Sequence, residues 1–235
     1  MTKADCLQLG ALPNLPVQRL RREYKGRRVS LLDVTNERPN QPLLGGAPQR
    51  PVIVGVTGAS GMPYAVDLLA TLRQLDVRTV LVVSNGAKQV LATELERGLE
   101  ALTELADVVE KDNDLGAAIA SGSHRTAGMV IVPCSAGTLA KVAHGHADTL
   151  ITRAAHVTIK ERRPLVLVVR EAPYSRPLLV NMLAAHDGGA VVLPAAPGFY
   201  NLPDSITELV AGITSRALDL LGIDNDRAPR WRGGS

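Results

Sequence analysis

The sequence predicts an α/β fold of the flavodoxin/Rossmann-like type: a doubly wound, mainly parallel sheet with helices on both faces, in a single domain. Three observations predict it. From Pro51 onward, short apolar runs alternate with segments of helical period, the pattern of strands joined by crossover helices. Leu165 to Val169 is an unbroken apolar run, as a strand covered on both faces requires. Several runs give way to small or hydroxyl-bearing residues, at the carboxyl ends of strands where open α/β sheets bind ligands.

The elements follow in order. Strands are expected at 52–57, 79–83, 129–133, 165–169 and 190–193, each a compact Val/Ile/Leu-rich run. Helices are expected at 63–74, 87–96, 138–143, 150–160, 177–185 and 205–221. Pro63 suits a first helical turn, and Asp204-Ser205 suits the cap of the last helix. Between Gly98 and Ser123 the periodicity is poor; Val108-Val109 is read as a short strand and Gly122-Ser123-His124 as a loop. No internal repeat is visible. The tail beyond Gly222 is polar and carries Arg227, Arg230, Trp231 and Arg232. Three regions result: a basic extension at 1–49, expected to lack order, a folded domain at 50–222, and a C-terminal tail at 223–235.

Composition narrows the function. The 235 residues are 46% hydrophobic with six aromatics, enough for a sizeable core. No apolar stretch approaches the roughly 18–20 residues that span a bilayer, and the first residues lack the pattern of a secretory signal. Two cysteines, Cys6 and Cys134, make no disulfide framework, and no Cys/His spacing resembles a zinc site. A reducing cytoplasm is expected, with no metal. The net charge of +3 is uneven: residues 1–50 hold 9 Lys/Arg against 4 Asp/Glu. The stretch 18–28, QRLRREYKGRR, suits nucleic acid or an anionic surface. Lacking a binding fold or interleaved aromatics, it reads better as a solvated extension, so nucleic acid is not expected as a partner.

Four stretches carry candidate chemistry. The first strand runs into Thr57-Gly58-Ala59-Ser60-Gly61. Glycines allow close backbone approach and a helix N-terminus attracts an anion such as phosphate, although neither a dinucleotide nor a Walker pattern is present. A tight structural turn is the alternative. The third long strand ends in Pro133-Cys134-Ser135-Ala136-Gly137-Thr138; Cys134 is a nucleophile only if His144 or His146 serves it, and a packed thiol is the plainer reading. Ser84 ends the second strand. The last strand leads into Pro194-Ala195-Ala196-Pro197-Gly198-Phe199-Tyr200, either a shaped loop offering the Tyr200 hydroxyl or a hydrophobic plug. Arg170-Glu171 closes the run Leu165 to Val169, and Lys160-Glu161-Arg162-Arg163 precedes it. An adjacent acid and base beside a buried strand are costly without partners, unless both simply face water. Arg216, among Ile213, Ala217 and Leu218, is an exposed helix charge or one turned to a phosphate.

Together VTGASG at 56–61, PCSAGTLA at 133–140, LITRAAHVTIKERRPLVLVVREAP at 150–173 and LPAAPGFY at 193–200 resemble the UbiX-like flavin prenyltransferases. The resemblance covers about residues 51–232, is weakest between 97 and 120, and is absent from the extension. It implies reduced FMN as cofactor and acceptor, dimethylallyl phosphate as donor, no metal, a dodecamer with sites at subunit junctions, and a UbiD-type decarboxylase as recipient of prenylated FMN. It also implies roles. Gly58, Ala59, Ser60, Ser84, Ser135, Ala136, Gly137, Thr138 and Arg153 would contact FMN. Lys160, Arg170, Tyr200 and Arg216 would hold the donor phosphate. Ser60 and Glu94 would relay protons near flavin N5, and Glu171 would act as general acid and base. Trp231, in a tail closing over the site, would face the developing allylic cation. Glu94 and Arg153 are otherwise ordinary helix-surface charges. His156 departs from the acid commonly found after Arg-Ala-Ala. Two other readings remain: an FMN-dependent cysteine decarboxylase of the same fold, which needs no cage of cations, and a non-enzymatic flavin carrier.

Overall fold

A strand apolar at every position needs a helix layer on each side, and the sheet that forms has both. The structure, a computed structural model, describes residues 50–230; the extension at 1–49 and Trp231 lie outside the described residues. Strands β1 (Val52–Val56), β2 (Thr79–Val83), β3 (Val108–Lys111), β4 (Gly128–Cys134), β5 (Leu165–Val169) and β6 (Val191–Pro194) form one sheet in the order β3-β2-β1-β4-β5-β6. Every pairing is parallel. Helices are α1 (Met62–Gln74), α2 (Asn85–Glu94), α3 (Glu100–Thr103), α4 (Ala136–Ala143), α5 (Leu150–Lys160), α6 (Arg176–Asp187) and α7 (Ile206–Leu220), with a 3-10 turn at Ala118–Ala120.

Strand parity sorts the core into two layers. Val52, Val54 and Val56 pack with Leu68 and Leu69 of α1 and with Ile213 and Leu218 of α7. Ile53 faces the other way, with Leu139 of α4, Ile151 and Ala154 of α5, and Leu178 of α6. The five long runs are strands as expected, and the doubtful one at Val108 is also a strand. Its pattern was poor because β3 is an edge strand whose valines are exposed. The short helix α3 was not expected. Helix α2 begins at Asn85 and α4 at Ala136, each two residues earlier than expected, because Ser84 and Ser135 act as their N-caps. Ser205 caps α7 by accepting from Glu208 N.

The order places a topological switch point between β1 and β4. The chain leaves β1 for α1 on one face and leaves β4 for α4 on the other, which opens a crevice at the carboxyl ends of these strands.

Candidate active site

The crevice is stitched together by backbone and short side chains. Thr57 is buried at the end of β1. Its hydroxyl donates to Pro133 O at 2.8 Å and accepts from Ser135 N at 2.8 Å. That one side chain fixes the spacing between the loops after β1 and β4. Gly58 meets the first turn of α2 backbone to backbone: a Cβ there would lie 3.0 Å from Gly86 C. Gly61, with φ +118°, turns the chain into α1 in a conformation that L side chains rarely adopt.

Helix α1 has no capping side chain of its own. Glu94, the last residue of α2, supplies one: its carboxylate accepts from Gly61 N at 2.9 Å and Met62 N at 2.8 Å. This corrects two expectations. Glu94 is not a free surface charge. The first N–H groups of α1 are also not open to a phosphate, since a second anion would meet a carboxylate already seated there.

The start of α4 is held differently. Ser135 Oγ lies 3.0 Å from Thr138 Oγ1 and accepts weakly from Thr138 N at 3.3 Å. Nothing stands within 4 Å of where a Gly137 Cβ would be, so the first turn of α4 faces open space. Cys134, by contrast, is fully buried, and burial pushes its thiol up to about 12. It stays a thiol at neutral pH. His144 faces Asn181 at 3.0 Å, and the cysteine-nucleophile reading has no base to rest on.

Arg170 joins the two halves. Its Nε donates to Ser60 O at 3.0 Å and its backbone N to Cys134 O at 3.3 Å. The guanidinium at the end of β5 therefore lies on the loop after β1. Glu171, next in the chain, is exposed, and its Oε1 accepts from Ala172 N at 3.1 Å. Ser84 sits at the same edge as the cap of α2, and Tyr200 is 71% exposed in the loop after β6.

Two expected site residues lie elsewhere in the protomer. Lys160 ends α5 before β5 begins, at the amino edge of the sheet, where it pairs with Glu161. Arg216 is the eleventh residue of α7, past its midpoint toward that edge, 60% exposed and 3.6 Å from Asp219. Within one protomer Lys160 and Arg216 are therefore not gathered with Arg170 round one phosphate. Arg153, in the second turn of α5, donates to Ala120 O at 3.1 Å. Among the described residues no cluster of His, Cys, Asp or Glu is placed to hold a metal ion, and no helix is long and apolar enough to cross a membrane.

The sequence reading passed over Asp67, and named Thr57 and Arg163 within longer stretches without giving either a role. Asp67 was detectable, because MPYAVDLLATL places one carboxylate inside an otherwise apolar helix face. Arg163 donates to Gly122 O at 2.7 Å, His124 O at 2.9 Å and Thr126 Oγ1 at 3.3 Å, fixing the loop beside Lys160. No local pattern announces it.

The geometry has known relatives. Residues 44–196 match the Flavoprotein family. The flavin prenyltransferase UbiX of Deinococcus radiodurans is 61% identical over 191 residues, covering 80% of this chain and 98% of that protein. The crystal structure of AnUbiX (PadA1) in complex with FMN and dimethylallyl pyrophosphate has a TM-score of 0.78 at 42% identity. It covers 80% of this chain and 100% of its own. A dodecameric FMN-dependent UbiX-like decarboxylase from Escherichia coli O157:H7 has a TM-score of 0.75 at 44% identity, covering 77% of this chain and 99% of its own. With relatives this close over almost their full length, the chain belongs to the UbiX flavin prenyltransferases of the flavoprotein family.

Proposed function

We propose that this enzyme transfers a dimethylallyl group from dimethylallyl phosphate to reduced FMN, and that the prenylated FMN passes to a UbiD-type decarboxylase. One observation carries the reading: Arg170 is anchored on the carbonyl of Ser60, which puts a leaving-group cation against the loop that approaches the flavin. The residues fit FMN. The open first turn of α4, with Ser135, Ala136, Gly137 and Thr138, suits its phosphate. The side-chain-free contact of Gly58 with Gly86 leaves room for a flat ring beside Ala59, Ser60 and Ser84.

Reduced FMN supplies the nucleophilic N5 and then C6, and the protein handles charge and protons. The donor C–O bond breaks with its electron pair leaving on phosphate, so positive charge fixed in place stabilises that transition state. Arg170 provides it from within the protomer, with the Tyr200 hydroxyl as a donor. Glu171 gives a proton to the departing phosphate and later accepts the one lost from C6. Ser60, beside the Gly61 amide that Glu94 caps, moves the proton near N5. Arg153 and Trp231 take the roles that the resemblance assigns them, flavin contact and a π-face.

Lys160 and Arg216 complete the phosphate cage only if neighbouring protomers bring them. That supports sites at subunit junctions of a homo-oligomer, proposed as a dodecamer. Exposed apolar side chains on α6 (Leu179 50%, Val180 48%, Leu183 61%) and in the loop after β6 (Phe199 68%, Leu202 86%) offer surface to bury in such an assembly. The buried free thiol of Cys134 fits a reducing cytoplasm.

Anaerobic incubation with FMN, dithionite and dimethylallyl phosphate tests the proposal, with the pyrophosphate in a parallel arm. A flavin heavier by one C5 unit is expected with the monophosphate. FMN binding without any adduct overturns the reading.

A further inference from the structure

Asp67 is an anomaly in α1. It is 4% exposed, on a helix whose neighbours Val66, Leu68 and Leu69 are core residues. A carboxylate taken out of water there is costly unless paired and hydrogen-bonded. Two groups meet it. Thr214 of α7 donates to Oδ2, and the Arg227 guanidinium donates to Oδ1. Arg227 lies 160 residues away, in the segment that follows α7, and its Nε is buried without a hydrogen-bond partner.

That segment is a strap. Gly222, with φ +72°, ends α7, and from there Ile223, Asn225 and Arg227 alternate inward while Asp224 and Asp226 face water. Asn225 accepts from Ser215 Oγ at 2.7 Å and donates to Asp219 Oδ1 at 3.1 Å. Arg230 grips Asp219 with two bonds of 3.0 and 2.7 Å. The segment thus reaches α1 through Arg227 and returns through Arg230 to Asp219 near the end of α7. Between them Pro229 O accepts from Asn201 Nδ2 at 3.4 Å, one residue from Tyr200.

Packing alone does not call for this arrangement, since an apolar pair of similar volume stabilises a helix interface at least as well as a buried ion pair. The charge does something else. An extended strap with alternating side chains can slip in register, and a single buried carboxylate that accepts only one cation sets it. We propose that Asp67 and Arg227 are positioning residues for the transfer reaction: their pair fixes the register of the C-terminal strap, whose end holds the Tyr200 loop in place at the carboxyl edge. The proposal rests on Tyr200 serving the donor phosphate, as argued above.

The test uses the full-length protein. The double variant Asp67→Leu/Arg227→Leu removes both charges and leaves no orphan. Its melting midpoint and FMN affinity should stay close to wild type. Its KM for dimethylallyl phosphate should rise about tenfold, because small misplacements of a positioning group are costly. Amide exchange at Leu202, whose N–H is bonded to Phe199 O, should accelerate by a similar factor. Arg227→Lys, which keeps a cation opposite Asp67, should recover most of both effects. Unchanged KM and unchanged exchange in the double variant overturn the proposal. If that variant fails to fold, Arg227→Lys is read alone against wild type: a rise of about threefold in KM and in exchange is expected, and no change overturns it. Exchange at Leu202 reports on the strap whether or not the enzyme prenylates. A strap that responds in a protein forming no adduct sinks the functional reading and spares the register role.

Discussion

The charges at the two ends of the sheet are used differently. At the carboxyl edge, Arg170 is fastened to backbone carbonyls, with Nε on Ser60 O and N on Cys134 O. Among the described residues no carboxylate is paired with it. At the amino edge, Lys160 lies against Glu161 and Arg216 against Asp219. The β5 strand that separates the edges is five residues long, about 13 Å at the usual rise, so one protomer cannot close all three cations on one phosphate. The pairs at the amino edge are exposed, and such pairs contribute about 0–1 kcal/mol. They are easily given up for a phosphate presented by a neighbour. On the proposed reading, one edge is a preorganised half-site and the other supplies cations to a neighbour.

The comparison can be broken at several points. Short of removing a cation outright, the largest effect is expected from Glu171→Gln, which removes the proposed proton carrier at the carboxyl edge and leaves Arg170 in place. Turnover should fall about 10²-fold with FMN affinity unchanged. A rate like that of wild type in a single-turnover flavin assay means the proton travels by another route. Next is Thr57→Val, which removes the bonds to Pro133 O and Ser135 N. A buried N–H left unpaired costs about 1–3 kcal/mol. Urea unfolding should show that loss, with weaker FMN binding alongside, and unaltered binding would show that the loop spacing does not depend on this side chain.

The smallest effect concerns acid. Asp219 is held below the usual carboxylate range, first by hydrogen bonds from Arg230 and then by the nearby positive charges of Arg230 and Arg216. Its contribution is complete above the unfolded carboxylate value near 4 and fades as pH falls through the lowered one. Since Arg230 is 53% exposed, screening keeps the effect to a fraction of about 1 kcal/mol. Stability measured from pH 6 down to 2 should lose this small amount in wild type and none of it in Asp219→Asn. Identical acid profiles would remove the pair from the account of the strap.

How legible all this was depends on the range of each interaction. The sheet was readable because unbroken runs such as Leu165 to Val169 report double-sided burial locally, whereas β3 faded because an edge strand has exposed valines. Candidate loops were readable from small residues at strand ends. Pairings between distant residues were not: Glu94 capping Gly61, Thr57 bridging to Ser135 and Asp67 meeting Arg227 join positions 33, 78 and 160 residues apart. No periodicity encodes them. The separation of Lys160 from Arg170 was available in the sequence, because one ends the helix before β5 and the other ends β5 itself. The strand between them sets their distance, which agrees with the sites at subunit junctions that the resemblance implies.

Complementation between subunits tests most directly whether the two edges meet only across protomers. Lys160→Ala and Arg170→Ala should each abolish adduct formation while retaining FMN. Co-expressed and assembled together, they should regain about one quarter of wild-type activity, the share of junctions that pair an intact carboxyl edge with an intact amino edge at random. Mixed assemblies as inactive as either parent would contradict a site shared between subunits.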